Sequence, residues 1–167
     1  TLKKCASDEI NYLLNAWRGP FDESQDFVYD NFNVEIKTIS PSNSVVKINS
    51  LYQLSVPLNK ELYLGVIQAR LDVKGTTIGD LYEEILVIVD SLKGKKQIFL
   101  DALMAKGLTS STIVKYCDLK FKLIENYFYT VNESDFPCLT PKNVNSAIVD
   151  ATYMLDLGSL AKYETKI

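Results

Sequence analysis

Alternating apolar and polar residues predict a β-hairpin in the N-terminal third of the chain. Residues 26–29 and 32–38 are rich in aromatic and β-branched side chains with a period of two, and Asp30-Asn31 between them suits a tight turn. If that turn has two residues, the register of the hairpin places Asp26 opposite Glu35. One face of the hairpin is then apolar, and the other is acidic.

The remaining patterns predict a mixture of strands and helices. Strands are expected over 45–48, 62–71, 120–131 and 147–157, with the apolar run 62–71 at the centre of a sheet. Helices are expected over 7–17 and 98–106, between Thr77 and Gly94, and as a brief turn after Ser50. The helix that Thr77 caps, with Asp80 in the capping box, should bury Ile78, Leu81, Ile85, Ile88 and Val89, with Tyr82 at the margin of this stripe.

Composition favours one globular domain over residues 1–167. The chain is 47% hydrophobic and 23% charged, which is enough for a real core. Its longest apolar runs are far shorter than the ~20 residues of a membrane span, and no signal-peptide pattern is present, so we expect a soluble, cytoplasmic protein. The cysteines, Cys5, Cys117 and Cys138, are odd in number and widely spaced, which is typical of reduced structural thiols.

The absence of histidine narrows the possible chemistry. No histidine-dependent triad, histidine–metal nuclease site or typical zinc hydrolase site can be built, so hydrolysis would have to use carboxylates and lysine. The formal net charge of −3 does not suit a protein that grips nucleic acid over its whole surface. Any DNA contact should therefore involve a local basic cleft or a partner subunit.

The acidic face of the hairpin is the candidate reactive site. Glu35 and Lys37 are two residues apart in one strand and so project to the same side as Asp26, while Ile36 should point into the core with Phe32 and Val34. Two opposed carboxylates need a cation, and with a backbone carbonyl, that of Ile36, and waters they suit Mg²⁺, with Mn²⁺ as a substitute. The competing interpretation is an exposed hairpin whose Glu35 and Lys37 are ordinary solvated residues.

Asp26 followed by Glu35-Ile36-Lys37 resembles the signature of the PD-(D/E)XK nucleases, although Gln25 stands in the place of the proline. Further short segments, in order along the chain, are similar to one bacterial group of PD-(D/E)XK motif proteins found in restriction and phage-defence loci: Ala16-Trp-Arg-Gly-Pro-Phe21, Gln25-Asp-Phe27, Val34-Glu-Ile-Lys-Thr38, Ile48-Asn-Ser-Leu51, Gln53-Leu54, Leu62-Tyr-Leu64, Asp135-Phe-Pro137 and Leu139-Thr-Pro141. The resemblance implies an α/β fold of the restriction endonuclease type, a mixed β-sheet flanked by helices.

The resemblance also implies roles for single residues. Asp26 and Glu35 would bind the metal, and Lys37 would assist the attacking water. Gln53 would hold a phosphate or that water, and the alternative is a surface amide. In the resembling family an upstream Gly-Glu pair is expected to supply a further ligand, so either the chain lacks an upstream N-terminal region or Glu9 serves instead of being a plain acid in a first helical turn.

These inferences predict a Mg²⁺-dependent DNA endonuclease that hydrolyses phosphodiester bonds in restriction or phage defence. Its partners would be DNA and other subunits of such a system, with no membrane. The alternative is a module with the nuclease fold that binds DNA or a protein partner without cutting. The missing upstream glutamate and the acidic net charge favour that alternative.

Overall fold

The computed structural model describes residues 7–166, which form two compact units. The sheet unit comprises residues 24–70 and 123–166, and the helical unit comprises residues 7–23 and 71–122. Cys5, one of the three cysteines expected to be reduced, lies outside the described residues. Among those residues, no helix combines the length and the apolar character needed to cross a membrane.

Seven strands and three α-helices are present in the described residues. The strands are β1 (Phe27–Val28), β2 (Phe32–Ile39), β3 (Val45–Ile48), β4 (Glu61–Thr77), β5 (Lys120–Val131), β6 (Tyr153–Asp156) and β7 (Glu164–Thr165). The helices are α1 (Ser7–Ala16), α2 (Ile78–Asp90) and α3 (Lys95–Ala105), and short 3₁₀ turns lie at Gly19–Phe21, Ile113–Tyr116 and Gly158–Tyr163.

A five-stranded mixed sheet has the order β1-β2-β4-β5-β7. Strand β2 pairs antiparallel with β1 and parallel with β4, and β7 pairs antiparallel with β5. Strands β3 and β6 form a separate antiparallel pair. The mixed α/β class is confirmed, as is the central place of β4, and the architecture is consistent with a restriction endonuclease-like fold.

The main core lies on the same face of the sheet as the polar residues of β2. Glu35 pairs with Leu64 and Lys37 with Val66, and laterally paired side chains point to the same side of a sheet. Leu64 and Val66 are fully buried in that core, whose other members are Val46, Ile48, Leu54, Leu62, Tyr129, Val131, Phe136, Cys138, Leu155 and Leu160. Glu35 is therefore placed at the edge of a hydrophobic core.

The prediction that Ile36 points into the core was wrong about the face. Ile36 alternates with Glu35, so it projects away from the main core, where it approaches Gly65 and Phe128. A Cβ at position 65 would lie 2.6 Å from Ile36 Cδ1 and 2.9 Å from Phe128 Cε1, so a larger residue there would require these side chains to shift. The same face carries stacked aromatic rings; the ring centroids of Tyr29 and Phe32, for example, are 4.5 Å apart.

The helical unit has a second core between α1, α2, α3 and the 3₁₀ turn at Ile113–Tyr116. The predicted capping box of α2 is confirmed, because Asp80 N–H donates to Thr77 Oγ1 and Asp80 Oδ2 accepts from Thr77 N–H. The predicted buried stripe was wrong in part: Tyr82 is buried, whereas Ile78 and Leu81 are 41% and 46% exposed. The buried face of α2 runs through Gly79, Tyr82 and Val89, and Gly79 lets the Cys117 thiol come close.

Several predicted elements differ from the structure in their bounds or type; β4, for example, extends to Thr77 and not only to residue 71. The strand expected over 147–157 is restricted to β6, because residues 145–148 form a turn in which the Asn145 side-chain oxygen accepts the Ala147 N–H and its backbone carbonyl accepts the Ile148 N–H. The helix expected to begin at residue 98 begins at Lys95, just after Gly94 in its left-handed conformation. The segment that carries Gln53 is an irregular turn and not a helix.

Candidate active site

The hairpin has the predicted register. Phe27 pairs with Val34 and Val28 with Asn33, which places Asp26 next to Glu35 at the open end of the hairpin. The Asp26 carboxylate is tied to β2 because its Oδ2 accepts a 2.8 Å hydrogen bond from the backbone N–H of Ile36. Two carboxylates therefore lie side by side, one held by the end of β1 and the other by β2.

Lys37 connects Glu35 to Gln53. Its Nζ lies 2.7 Å from Glu35 Oε1 and donates a 2.9 Å hydrogen bond to Gln53 Oε1. The same Gln53 oxygen accepts the backbone N–H of Asn49 at 2.8 Å. A lysine ammonium has three N–H donors, so this arrangement leaves one of them for a water or a phosphate oxygen. The structure thus brings Asp26, Glu35, Lys37 and Gln53 together.

Glu35 is a strongly perturbed acid. Its side chain is only 3% exposed, and burial raises its pKa from 4.5 to about 7. The neighbouring Asp26 carboxylate raises this pKa as well, whereas the hydrogen bond from Lys37 lowers it. The interpretation of Glu35 as an ordinary solvated residue is excluded by this burial. One lysine does not compensate the cost of placing the Glu35 charge at the edge of the core.

This pKa shift predicts an unusual dependence of stability on pH. The native state binds the Glu35 proton more tightly than the unfolded state, so its stabilisation is complete below pH 4.5 and is lost as the pH rises through about 7. At ~1.4 kcal/mol per pKa unit, the loss should be on the order of 3 kcal/mol. In Glu35→Gln, residue 35 cannot ionise, so this loss of stability between low and neutral pH should be absent.

Urea unfolding in EDTA, at about pH 5 and about pH 8, measures this difference between the parent and Glu35→Gln. Glu83→Gln on the exposed side of α2 is the matched control and should follow the parent. If the unfolding free energies of the parent and of Glu35→Gln change equally with pH, Glu35 does not have the raised pKa described above.

Two buried amides that sequence reasoning missed lie beside this cluster. Gln25 and Asn33 are 6% and 4% exposed, and Asn33 Nδ2 donates to Gln25 Oε1 at 3.1 Å. Gln25 Nε2 donates to the carbonyl oxygens of Tyr52 at 2.9 Å and Gln53 at 3.4 Å. The available signals were Asn33, which lies two residues before Glu35 and so shares its face of β2, and an amide in the place of the proline.

The donor atoms of the site fit a hard divalent cation. Asp26 and Glu35 supply carboxylate oxygens and Ile36 supplies a carbonyl, which are the ligand types that Mg²⁺ accepts together with waters. The raised pKa of Glu35 shows a carboxylate whose charge Lys37 leaves incompletely balanced. Asn33 Oδ1, two residues before Glu35 on the same face, is buried without a partner among the described residues and needs a donor such as a water.

The structure does not assemble a third acidic ligand. Within residues 7–166, no group of three or more Cys, Asp or Glu side chains is arranged to hold a metal ion. Glu9 lies in α1 of the helical unit with an exposed side chain. Its role as a ligand stays a prediction, as do the metal-binding roles of Asp26, Glu35 and Ile36.

A family model matches residues 1–158 of the chain, and its description reads "Putative PD-(D/E)XK family member (DUF4420)". The chain belongs to this family. The match includes most of both compact units, and it includes the hairpin with Asp26, Glu35 and Lys37. The resemblance to PD-(D/E)XK proteins is therefore confirmed. Neither a curated protein nor a solved structure gave a match to the chain.

Proposed function

We propose that this chain is a divalent-metal-dependent deoxyribonuclease in which Asp26, Glu35 and the Ile36 carbonyl hold Mg²⁺ and Lys37 positions the attacking water. The observation that carries the proposal is the contact cluster itself. Two adjacent carboxylates and a lysine, in the order of the family's signature, meet at one end of a hairpin. Family membership supports a nuclease fold, and the geometry supports a hydrolytic site on it.

Charge explains why the site would need the cation. Ionised Asp26 and Glu35 with one Lys37 ammonium leave one net negative charge, which repels a phosphodiester anion. When bound, Mg²⁺ would reverse that balance, make water more acidic and stabilise the charge that develops on the phosphate. Because Mg²⁺ usually keeps several waters, two carboxylates and a carbonyl are enough protein ligands.

The side chains have separable tasks in the reaction. In hydrolysis the water oxygen bonds to phosphorus, one phosphorus–oxygen ester bond breaks, and the sugar oxygen leaves with a proton as a hydroxyl group. The remaining N–H donor of Lys37 can hold the attacking water or a phosphate oxygen. Gln53 fixes the Lys37 ammonium from one side and Glu35 fixes it from the other. Asp26 both offers a carboxylate oxygen and holds the Ile36 backbone.

Incubation of the full-length protein with duplex DNA and Mg²⁺ should produce cleaved DNA, and EDTA should stop the reaction. Because the recognised sequence is unknown, the substrates should include phage genomes and plasmids with and without base modification. Mn²⁺ should replace Mg²⁺, whereas Ca²⁺ should support binding with little cleavage. A restriction or phage-defence role predicts that other subunits of such a system increase the rate.

The alternative is a non-cleaving module that uses the same fold to bind DNA or a protein partner. It is favoured by the finding that the described residues assemble no third acidic ligand. If the full-length protein, supplied with its natural partners, shifts DNA in a gel and cuts none under Mg²⁺ or Mn²⁺, this alternative replaces the nuclease. Cleavage that is lost in EDTA would instead support the metal-dependent nuclease.

A further inference from the structure

The side-chain amide of Gln25 joins the hairpin to the turn that carries Gln53. Its Nε2 donates to the carbonyls of Tyr52 and Gln53, and its Oε1 accepts from Asn33 in β2. Gln25 is 6% exposed, so little water can replace these partners. Because an unpaired buried amide is costly, the hydrogen bonds specify the position of the turn relative to β2.

The Gln53 side chain passes this constraint on to Lys37. Its Oε1 accepts two donors, Lys37 Nζ at 2.9 Å and the Asn49 backbone N–H at 2.8 Å. A carbonyl oxygen has two lone pairs, so both are used. The backbone of Gln53 is thus held by Gln25, and its side chain holds the lysine. Two hydrogen bonds, joined through the covalent structure of Gln53, therefore connect residue 25 with the Lys37 ammonium.

We propose that Gln25 is a positioning residue for Lys37, acting through the turn that carries Gln53. The inference rests on the proposed nuclease function and deepens it. Residue 25 stands where the PD-(D/E)XK signature has proline, and a proline side chain has neither the donor nor the acceptor that this bridge uses. The departure from the signature therefore supplies a support that the signature residue cannot supply.

Lys37 needs such a support because of its neighbours and its shape. A lysine ammonium ends a flexible four-carbon stem, so two anchors are required to hold it in one place. One anchor, Glu35, is also a proposed metal ligand, which leaves Gln53 as the anchor that is not assigned to the metal. Displacement of a catalytic group by about 1 Å can lower a rate by ~100-fold.

Amide hydrogen exchange tests the chain of contacts without metal or DNA. In Gln25→Met, which keeps the length of the side chain, the Asn49 amide should exchange roughly tenfold faster because its acceptor Gln53 is no longer fixed. The Leu51 amide should not change, because Asp150 Oδ1 holds it independently at 3.1 Å. Two-dimensional NMR resolves the two amides.

Two control variants make the exchange pattern specific. Asp150→Ala should produce the reciprocal result, with faster exchange at Leu51 and an unchanged rate at Asn49. Gln97→Met, at an exposed glutamine of α3 that contacts Asp101, should change neither amide nor cleavage. If Gln25→Met does not fold, Gln25→Glu replaces it, since its carboxylate can accept from Asn33 but cannot donate to the two carbonyls.

The kinetic result should separate positioning from binding. Gln25→Met should lower kcat for DNA cleavage about ten- to a hundredfold and leave KM within about twofold. An unchanged Asn49 exchange rate, equal acceleration at Asn49 and Leu51, or an unchanged kcat would each overturn the inference. If the parent protein cleaves no DNA, the proposed function fails, and the exchange measurement alone then decides whether Gln25 positions Gln53.

Discussion

Replacing Lys37 by Ala should lower kcat for DNA cleavage by about a thousandfold or more, while the Kd for duplex DNA in Ca²⁺ stays within about twofold. In the proposed mechanism, the lysine acts on the chemical step through its remaining N–H donor. If the protein binds duplex DNA, its affinity should come mainly from phosphate contacts other than that of Lys37, because such contacts dominate protein–DNA binding. Single-turnover cleavage in Mg²⁺ and a binding titration in Ca²⁺ measure the two quantities separately.

Lys47→Ala is the matched control for this substitution. Lys47 is an exposed lysine of β3 in the same unit, so its loss should leave cleavage unchanged. Removal of Lys37 also removes the hydrogen bond that lowers the pKa of Glu35, so cleavage should be compared at several pH values up to about pH 9. If Lys37→Ala cuts as fast as the parent at every pH, the nuclease can stand but the mechanism given for Lys37 is wrong.

Local patterns in the sequence were sufficient to predict the hairpin register and the first residues of α2. The turn length at Asp30-Asn31 fixes which residues of β1 and β2 face each other, and the observed pairing of Phe27 with Val34 confirms it. The capping box of Thr77 and Asp80 involves only four consecutive residues. Such features depend on neighbours in sequence, so no knowledge of the tertiary structure is needed.

The position of the core could not be read from the hairpin alone. Alternation separates Ile36 from Glu35, but which side meets the core depends on the parallel pairing of β2 with β4 and on the packing of β3 and β6. These partners are distant in sequence. The buried carboxylate is the consequence: a strand face that looks solvated in sequence lies at the edge of the core, where Glu35 acquires its raised pKa.

The site shows the same division between local and distant information. The register of the hairpin placed Asp26, Glu35 and Lys37 together, and the resemblance added Gln53. Gln25 and Asn33 were not predicted as members, because a buried amide gives no periodic signal and its partners are backbone carbonyls at positions 52 and 53. Their contribution depends on where the turn is placed in space.

Mg²⁺ should stabilise the parent protein and should fail to stabilise Asp26→Asn. A ligand that binds only the folded state adds about 2.7 kcal/mol at a hundredfold excess over its Kd, which raises the Tm by several degrees in a protein of this size. Asn at position 26 keeps a side-chain oxygen that can accept the Ile36 N–H, so the hairpin end is preserved while one charged ligand is removed.

The stability of Asp26→Asn without metal shows whether a missing response to Mg²⁺ reflects lost metal binding or lost folding. Without the Asp26 charge, the pKa of Glu35 should fall, because the like charge beside it raises that pKa in the parent. Metal-free Asp26→Asn should then be at least as stable as the metal-free parent near neutral pH. Asp135→Asn, at an exposed aspartate paired with Lys162, is the control and should keep the full response to Mg²⁺. An equal rise of Tm in Asp26→Asn and in the parent would show that the cation binds elsewhere.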